Sequence, residues 1–256
     1  MIGSFRLAVL ECEAPPLPVL EMYGTYGDIV RNLLTNDLET VELPNLEILK
    51  WNIPSAESFP DLDSVDGVLL TGSQNTAFDD DAWVPGLTHF IRAVYEARKP
   101  LVGVCYGHQM IARALGGQVV RSPVGWEMAV ETIELSTQGA KLFGQGTLNI
   151  HQIHQDEVIK TPSGVEAIGR SRHCGVQIAY QQGRLLSFQG HPEFNTFITS
   201  HEIIERYEQG KLSSEQLEDG LKRVELKHDG ALIANVLWQH FLGIDRDAAI
   251  AEASRL

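Results

Sequence analysis

Cysteine is scarce in this chain: Cys12, Cys105 and Cys174 are all it has. That is too few for a disulfide scaffold, and no Cys-x-x-Cys pair points to structural zinc. Positive charge is also in short supply, with 20 Lys and Arg against 34 Asp and Glu and a formal net charge of -14. Such a balance argues against a nucleic-acid-binding surface, which needs a basic footprint, and against attraction to anionic lipid. Long apolar runs are missing as well. None reaches transmembrane length, and the short run Arg6-Leu7-Ala8-Val9-Leu10 is followed at once by Glu11 and Glu13. Neither a membrane span nor a secretory leader is expected. The expectation is a reduced, soluble, cytoplasmic protein with no nucleic-acid or membrane partner.

What is present is ordinary in amount. A hydrophobic fraction of 43% over 256 residues is enough to bury a substantial core. With no repeats, low-complexity tracts or obvious linkers, one domain spanning residues 1–256 is expected. Residues 6–12, 46–51, 65–70 and 101–104 read as buried strands. Helical spacing covers 22–34 and 87–98, while the prolines of Ala14-Pro15-Pro16-Leu17-Pro18 predict a loop. Strands alternating with helices indicate an α/β protein with a mostly parallel sheet. Past Gly117 the texture changes to a half-exposed strand at 130–135 and short strands near Leu148, Ile168, Val176 and Leu186. The C-terminal quarter reads as helix in two pieces, the first opened by a Ser213/Gln216 capping box and the second near 232–241.

The most informative segment is Gly103-Val104-Cys105-Tyr106-Gly107-His108-Gln109. A buried strand delivers a cysteine to a tight turn, and a helix with Met110, Ile111, Ala114 and Leu115 on one face follows. That is the strand–turn–helix pattern of a nucleophile elbow. The helix N-terminus favours the thiolate, the reactive form. A catalytic thiol needs a base, and the base needs an orienting group. Of nine histidines, His191 in Gln189-Gly190-His191-Pro192-Glu193 is the best placed, at the end of a predicted strand with Glu193 near enough to hold its ring. A lone cysteine is more often inert core, and a lone histidine before proline is more often a turn residue. Here both motifs fall at strand ends, and their conjunction favours catalysis.

These motifs resemble those of the class I glutamine amidotransferases, in order and over nearly the whole chain. Thr71-Gly72-Ser73 resembles the family's oxyanion turn, Gly103 to Gln109 its elbow, and Gln189 to Glu193 its His-Pro-Glu segment. His154-Gln155-Asp156-Glu157-Val158 is similar to the segment that closes over the glutamyl group. Ala77 to Trp83, Gly125-Trp126-Glu127 and Lys227-His228-Asp229-Gly230 look like stand-alone fungal members and plant γ-glutamyl peptidases. The resemblance implies a flavodoxin-like α/β fold with a helical C-terminus and a catalytic set of Cys105, His191 and Glu193. Main-chain N–H groups of Tyr106 and of Gly72 and Ser73 would meet the oxyanion, and Gln109 and Asp156 would contact the glutamyl group. It implies no metal and no organic cofactor.

The implied reaction is hydrolysis of a γ-glutamyl amide through a thioester, with glutamine as donor and its ammonia passed to a separate synthase partner. One alternative is a γ-glutamyl peptidase acting on glutathione-type conjugates. Another is a non-catalytic regulatory module, whose usual signature, a missing triad member, is not seen. A related intracellular-protease type ranks last, because Tyr106 and not histidine follows the cysteine. Among the other candidates, Cys12 and Cys174 read as buried core, His108 as pointing away from the sulfur, and Asp79-Asp80-Asp81 as a solvated loop. His151 and His154 lie on predicted strand and loop without a matching ligand set.

Overall fold

A computed structural model describes residues 3–36 and 43–244. The first half of the chain alternates as expected, through β1 (Ser4–Glu11), α1 (Leu17–Tyr23), α2 (Tyr26–Thr35), β2 (Asn45–Asn52), β3 (Gly67–Leu70), α3 (Val84–Glu96), β4 (Leu101–Val104) and α4 (Tyr106–Ala114). The second half runs through β5 (Gln118–Arg121), β6 (Glu127–Leu135), α5 (Thr137–Phe143), β7 (Thr147–His154), β8 (Asp156–Lys160), β9 (Glu166–Arg170), β10 (Ile178–Gln181) and β11 (Leu185–Phe188). It closes with α6 (Thr196–Glu208), α7 (Ser214–Arg223) and α8 (Gly230–Leu242).

A 9-stranded sheet organises the molecule, in the order β2-β1-β3-β4-β11-β10-β9-β6-β7. Strands β2, β1, β3, β4 and β11 are mutually parallel, and β10, β9, β6 and β7 extend the sheet antiparallel. The middle strands β3, β4 and β11 are buried at every position, as parallel strands covered on both faces must be. One face packs α3 and α4 through Leu87, Ile91, Met110 and Ile111. The other packs α2 and α8 through Val30, Leu34, Leu237 and Phe241. Each such fully buried side chain contributes about 1.5–3 kcal/mol relative to exposure. A smaller cluster (Val19, Phe194, Ile198 and Ile203) joins α1 and α6 beside the antiparallel extension.

The structure departs from the sequence reading in several places. The helix expected at 22–34 is broken at Gly24, whose φ of 79° ends α1. The Thr25/Asp28 capping box then starts α2. The proline-rich loop is shorter than expected, because Pro16 caps α1 and Pro18 sits in its first turn, where no N–H is needed. The C-terminal quarter holds three helices rather than two. The Ser213/Gln216 capping box is present, but α6 precedes it, with Asn195 capping its N-terminus by accepting from the Ile198 N–H at 3.0 Å. The pairing of β5 with β8 forms a separate small sheet. No described helix is long and apolar enough to cross a membrane.

Candidate active site

Three adjacent parallel strands bring the key segments together. Leu70 of β3 pairs with Gly103 of β4, and Val104 of β4 pairs with Phe188 of β11. Residues just past the three carboxyl ends, Gly72-Ser73, Cys105 and His191, therefore meet along one edge of the sheet. Cys105 sits between β4 and α4 with φ 49° and ψ -105°, a region L-residues rarely occupy. Such a conformation costs on the order of 1–3 kcal/mol and persists only when neighbours impose it. Here the Cys105 N–H donates to the Phe188 carbonyl at 2.8 Å, and the Gly107 N–H to the Thr71 carbonyl at 3.1 Å. Gly107 has no room for a side chain, since a Cβ there would lie 2.4 Å from the Leu70 carbonyl oxygen.

His191 is fixed from several directions. Its N–H donates to the His151 carbonyl at 2.7 Å, and its ring stacks on Phe194 with centroids 4.0 Å apart. Nδ1 lies 2.8 Å from Glu193 Oε1, both side chains being 3% exposed. The opposite nitrogen, Nε2, is buried without a hydrogen-bond partner, and Cys105 shares its cavity. Burial alone would lower the pKa of this imidazole. The Glu193 carboxylate and the Cys105 sulfur outweigh burial and raise it to about 10. At neutral pH the ring holds its proton, and its charge faces the sulfur.

Gly72 closes the same corner. A Cβ there would be 2.8 Å from His191 Cε1 and 3.6 Å from Cys105 Cβ, so the turn's backbone abuts both. Ser73 accepts from the Asn75 N–H at 3.1 Å. Tyr106 is the first residue of α4, so its N–H has no acceptor inside the helix, and its buried ring packs against Trp83. Gln109 and Asp156 also border the Cys105 cavity, but both are engaged by the protein. Gln109 Nε2 donates to the Asp156 carbonyl at 3.0 Å and to Gln189 Oε1 at 3.1 Å. The Asp156 carboxylate is ion-paired with Arg121; even so, burial holds its pKa above the usual carboxylate value.

The family profile described as glutamine amidotransferase class-I matches residues 25–207, a stretch that contains Cys105, His191 and Glu193. The chain belongs to the class I glutamine amidotransferases. A glutamine amidotransferase-like protein of Schizosaccharomyces pombe is 32% identical, covering 90% of this chain and 96% of its own. Gamma-glutamyl peptidase 2 of Arabidopsis thaliana is 32% identical over 86% of this chain and 90% of its own. Among solved structures, a glutamine amido transferase of Methylobacillus flagellatus superposes with a TM-score of 0.66 at 21% identity, covering 96% of this chain and 97% of that one. That last likeness carries the fold alone.

The remaining candidates are accounted for by packing or by surface pairing. His108 is buried with Nδ1 2.8 Å from Ser187 Oγ, and burial lowers its pKa to about 3. Cys12 and Cys174 are buried free thiols whose pKa burial pushes up. His154 is hydrogen-bonded to Glu127 at 3.0 Å. Asp80 pairs with Arg113 at 3.0 Å. Among the described residues no group of His, Cys, Asp and Glu is arranged to hold a metal ion. Sequence reasoning missed Tyr26, Glu202, Arg206 and Lys211, which line the cavities on either side of Cys105. The last three belong to α6 and the turn after it, and α6 itself went unread. The glutamate and arginine, four apart and so on one helical face, were the available signal.

Proposed function

We propose that the chain hydrolyses γ-glutamyl amides through a thioester on Cys105. The observation carrying this reading is the buried His191–Glu193 pair at 2.8 Å, with its free ring nitrogen in the cavity of an elbow cysteine. In this reading His191 holds the proton that leaves the sulfur, while Glu193 fixes ring and tautomer. The sulfur attacks the γ-carbonyl, and the main-chain N–H groups of Tyr106 and of the Gly72-Ser73 turn stabilise the oxyanion. As the C–N bond breaks, His191 gives its proton to the leaving amine. It then takes a proton from the water that opens the thioester, releasing glutamate. Gln109 and Asp156 frame the glutamyl cavity.

With glutamine as donor the amine is ammonia, passed to a separate acceptor enzyme. A second reading, a peptide-type amine as leaving group, is favoured by the likeness to Arabidopsis gamma-glutamyl peptidases over most of both chains. Side-by-side rates of ammonia release from glutamine and of amine release from a glutathione conjugate separate the two. Either activity is expected to fall by at least about 10³-fold in Cys105→Ala. Turnover of neither donor, or a fully active Cys105→Ala, overturns the reading.

A further inference from the structure

Arg206, from the last turns of α6, lies in the wall of both cavities at Cys105, yet it belongs to none of the motifs that define the site. It is 5% exposed, and its guanidinium is held from one side only. Nη1 is ion-paired with Glu202 and donates to the Glu202 carbonyl at 2.9 Å, with Glu205 3.6 Å away. The Arg206 Cζ lies over the Trp126 ring, 5.6 Å from the centroid. Among the described residues the opposite edge finds no hydrogen-bond partner, and Nε is a buried donor without an acceptor. An Nε–Nη2 edge is the one that grips a carboxylate through parallel bonds. An orphaned buried donor on an otherwise clamped arginine is costly unless a ligand completes it. Lys211, exposed and with no ion pair among the described residues, lines the cavity on the Gln109 side, and its N–H is tied to the Arg206 carbonyl at 2.9 Å. Asp156 borders that same cavity. Two cationic side chains, Arg206 and Lys211, thus line the cavity that Cys105 also lines, which matches a ligand bearing a carboxylate.

We propose that Arg206, assisted by Lys211, binds the α-carboxylate of the donor, so that the enzyme accepts glutamyl groups only when that carboxylate is free. This rests on the γ-glutamyl reading above and adds a specificity rule to it. An amide on the α-carboxyl, as in a glutamine inside a peptide chain, would bury Arg206 against a neutral group.

The test uses alkylation of Cys105 by the chloromethyl ketone analogue of glutamine, compared with its α-methyl ester. Iodoacetamide serves as a control for the thiol itself. The native protein is expected to react at least about thirtyfold faster with the free acid, the value of a charge-assisted contact. Arg206→Met, combined with Glu202→Gln so that no buried carboxylate is stranded, should erase that preference while leaving the iodoacetamide rate within about twofold. Arg206→Lys should keep only part of it. Lys211→Met, at an exposed position, should lower the preference about threefold without touching the fold. A native preference that survives in the double variant and in Lys211→Met overturns the Arg206 assignment and leaves the γ-glutamyl reading standing. If neither glutamine analogue labels Cys105 faster than simple chloroacetone does, the γ-glutamyl reading falls, and this rule with it.

Discussion

At the scale of single residues, the site depends on where one proton resides. The His191 pKa is raised, so the native state binds that proton more tightly than the unfolded chain, whose imidazole titrates near 6.5. The sign follows from linkage. Below about 6.5 both states are protonated and the pair's contribution to stability is fully present; it is lost as pH rises from there through about 10. Replacing Glu193 by Gln removes the carboxylate charge that raises this pKa and lets burial lower it. The expected outcome is a turnover rate reduced by about 10²–10⁴. Urea melts of Glu193→Gln should also lack most of the native protein's decline in stability between neutral and alkaline pH. An unchanged decline would place the charge responsible elsewhere.

At the scale of elements, the geometry at Cys105 is a matter of how closely α4 rides on β3. Gly107 sets that distance, and a single methyl group there meets the Leu70 carbonyl. Gly107→Ala is expected to destabilise the fold by about 1–3 kcal/mol, read from the urea midpoint at unchanged slope. Cys105, held by the same turn, should alkylate more slowly even where the variant is still folded.

This element was fully legible in the sequence, because an elbow is local: strand, cysteine, glycines and helix occupy one short stretch. The His191–Glu193 turn was legible for the same reason. By contrast α6 was not. The side it buries carries Thr199, Glu202 and Arg206 together with Ile198 and Ile203, so apolar periodicity is weak where polar residues face inward. The break at Gly24 was missed because Met22 and Ile29 fit one helical face, although the chain between them turns. The strands β5 and β8 are short and pair only with each other, which leaves no alternation long enough to read.

At the scale of the molecule, the parallel half of the sheet is closed by a helix outside the stretch matched by the family profile. From α8, Trp238 and Phe241 pack on Phe5 of β1, with ring centroids 5.8 and 5.4 Å away. The Trp238 indole N–H donates to the Leu34 carbonyl at the end of α2, at 2.9 Å. Trp238→Ala therefore removes a large buried side chain and strands an acceptor. It should cost about 3–5 kcal/mol, seen as a lowered thermal midpoint, while activity per folded molecule stays near native because Cys105 lies at the far ends of the strands. A comparable loss of activity in the folded fraction would show that α8 also supports the site.

The placement of Arg206 has a consequence for how such proteins diverge. Cys105, His191 and the Gly72-Ser73 turn follow strands that are hydrogen-bonded neighbours, so a change in any one is felt by the others. Arg206, Glu202 and Tyr26 hang from helices outside that ladder, and Lys211 from the turn after α6, and they meet the site through their side chains. Exchanges there, with Glu202 and Arg206 changed together, leave those hydrogen-bonded strands intact. Descendants of one ancestor can therefore share a reaction and differ in diet.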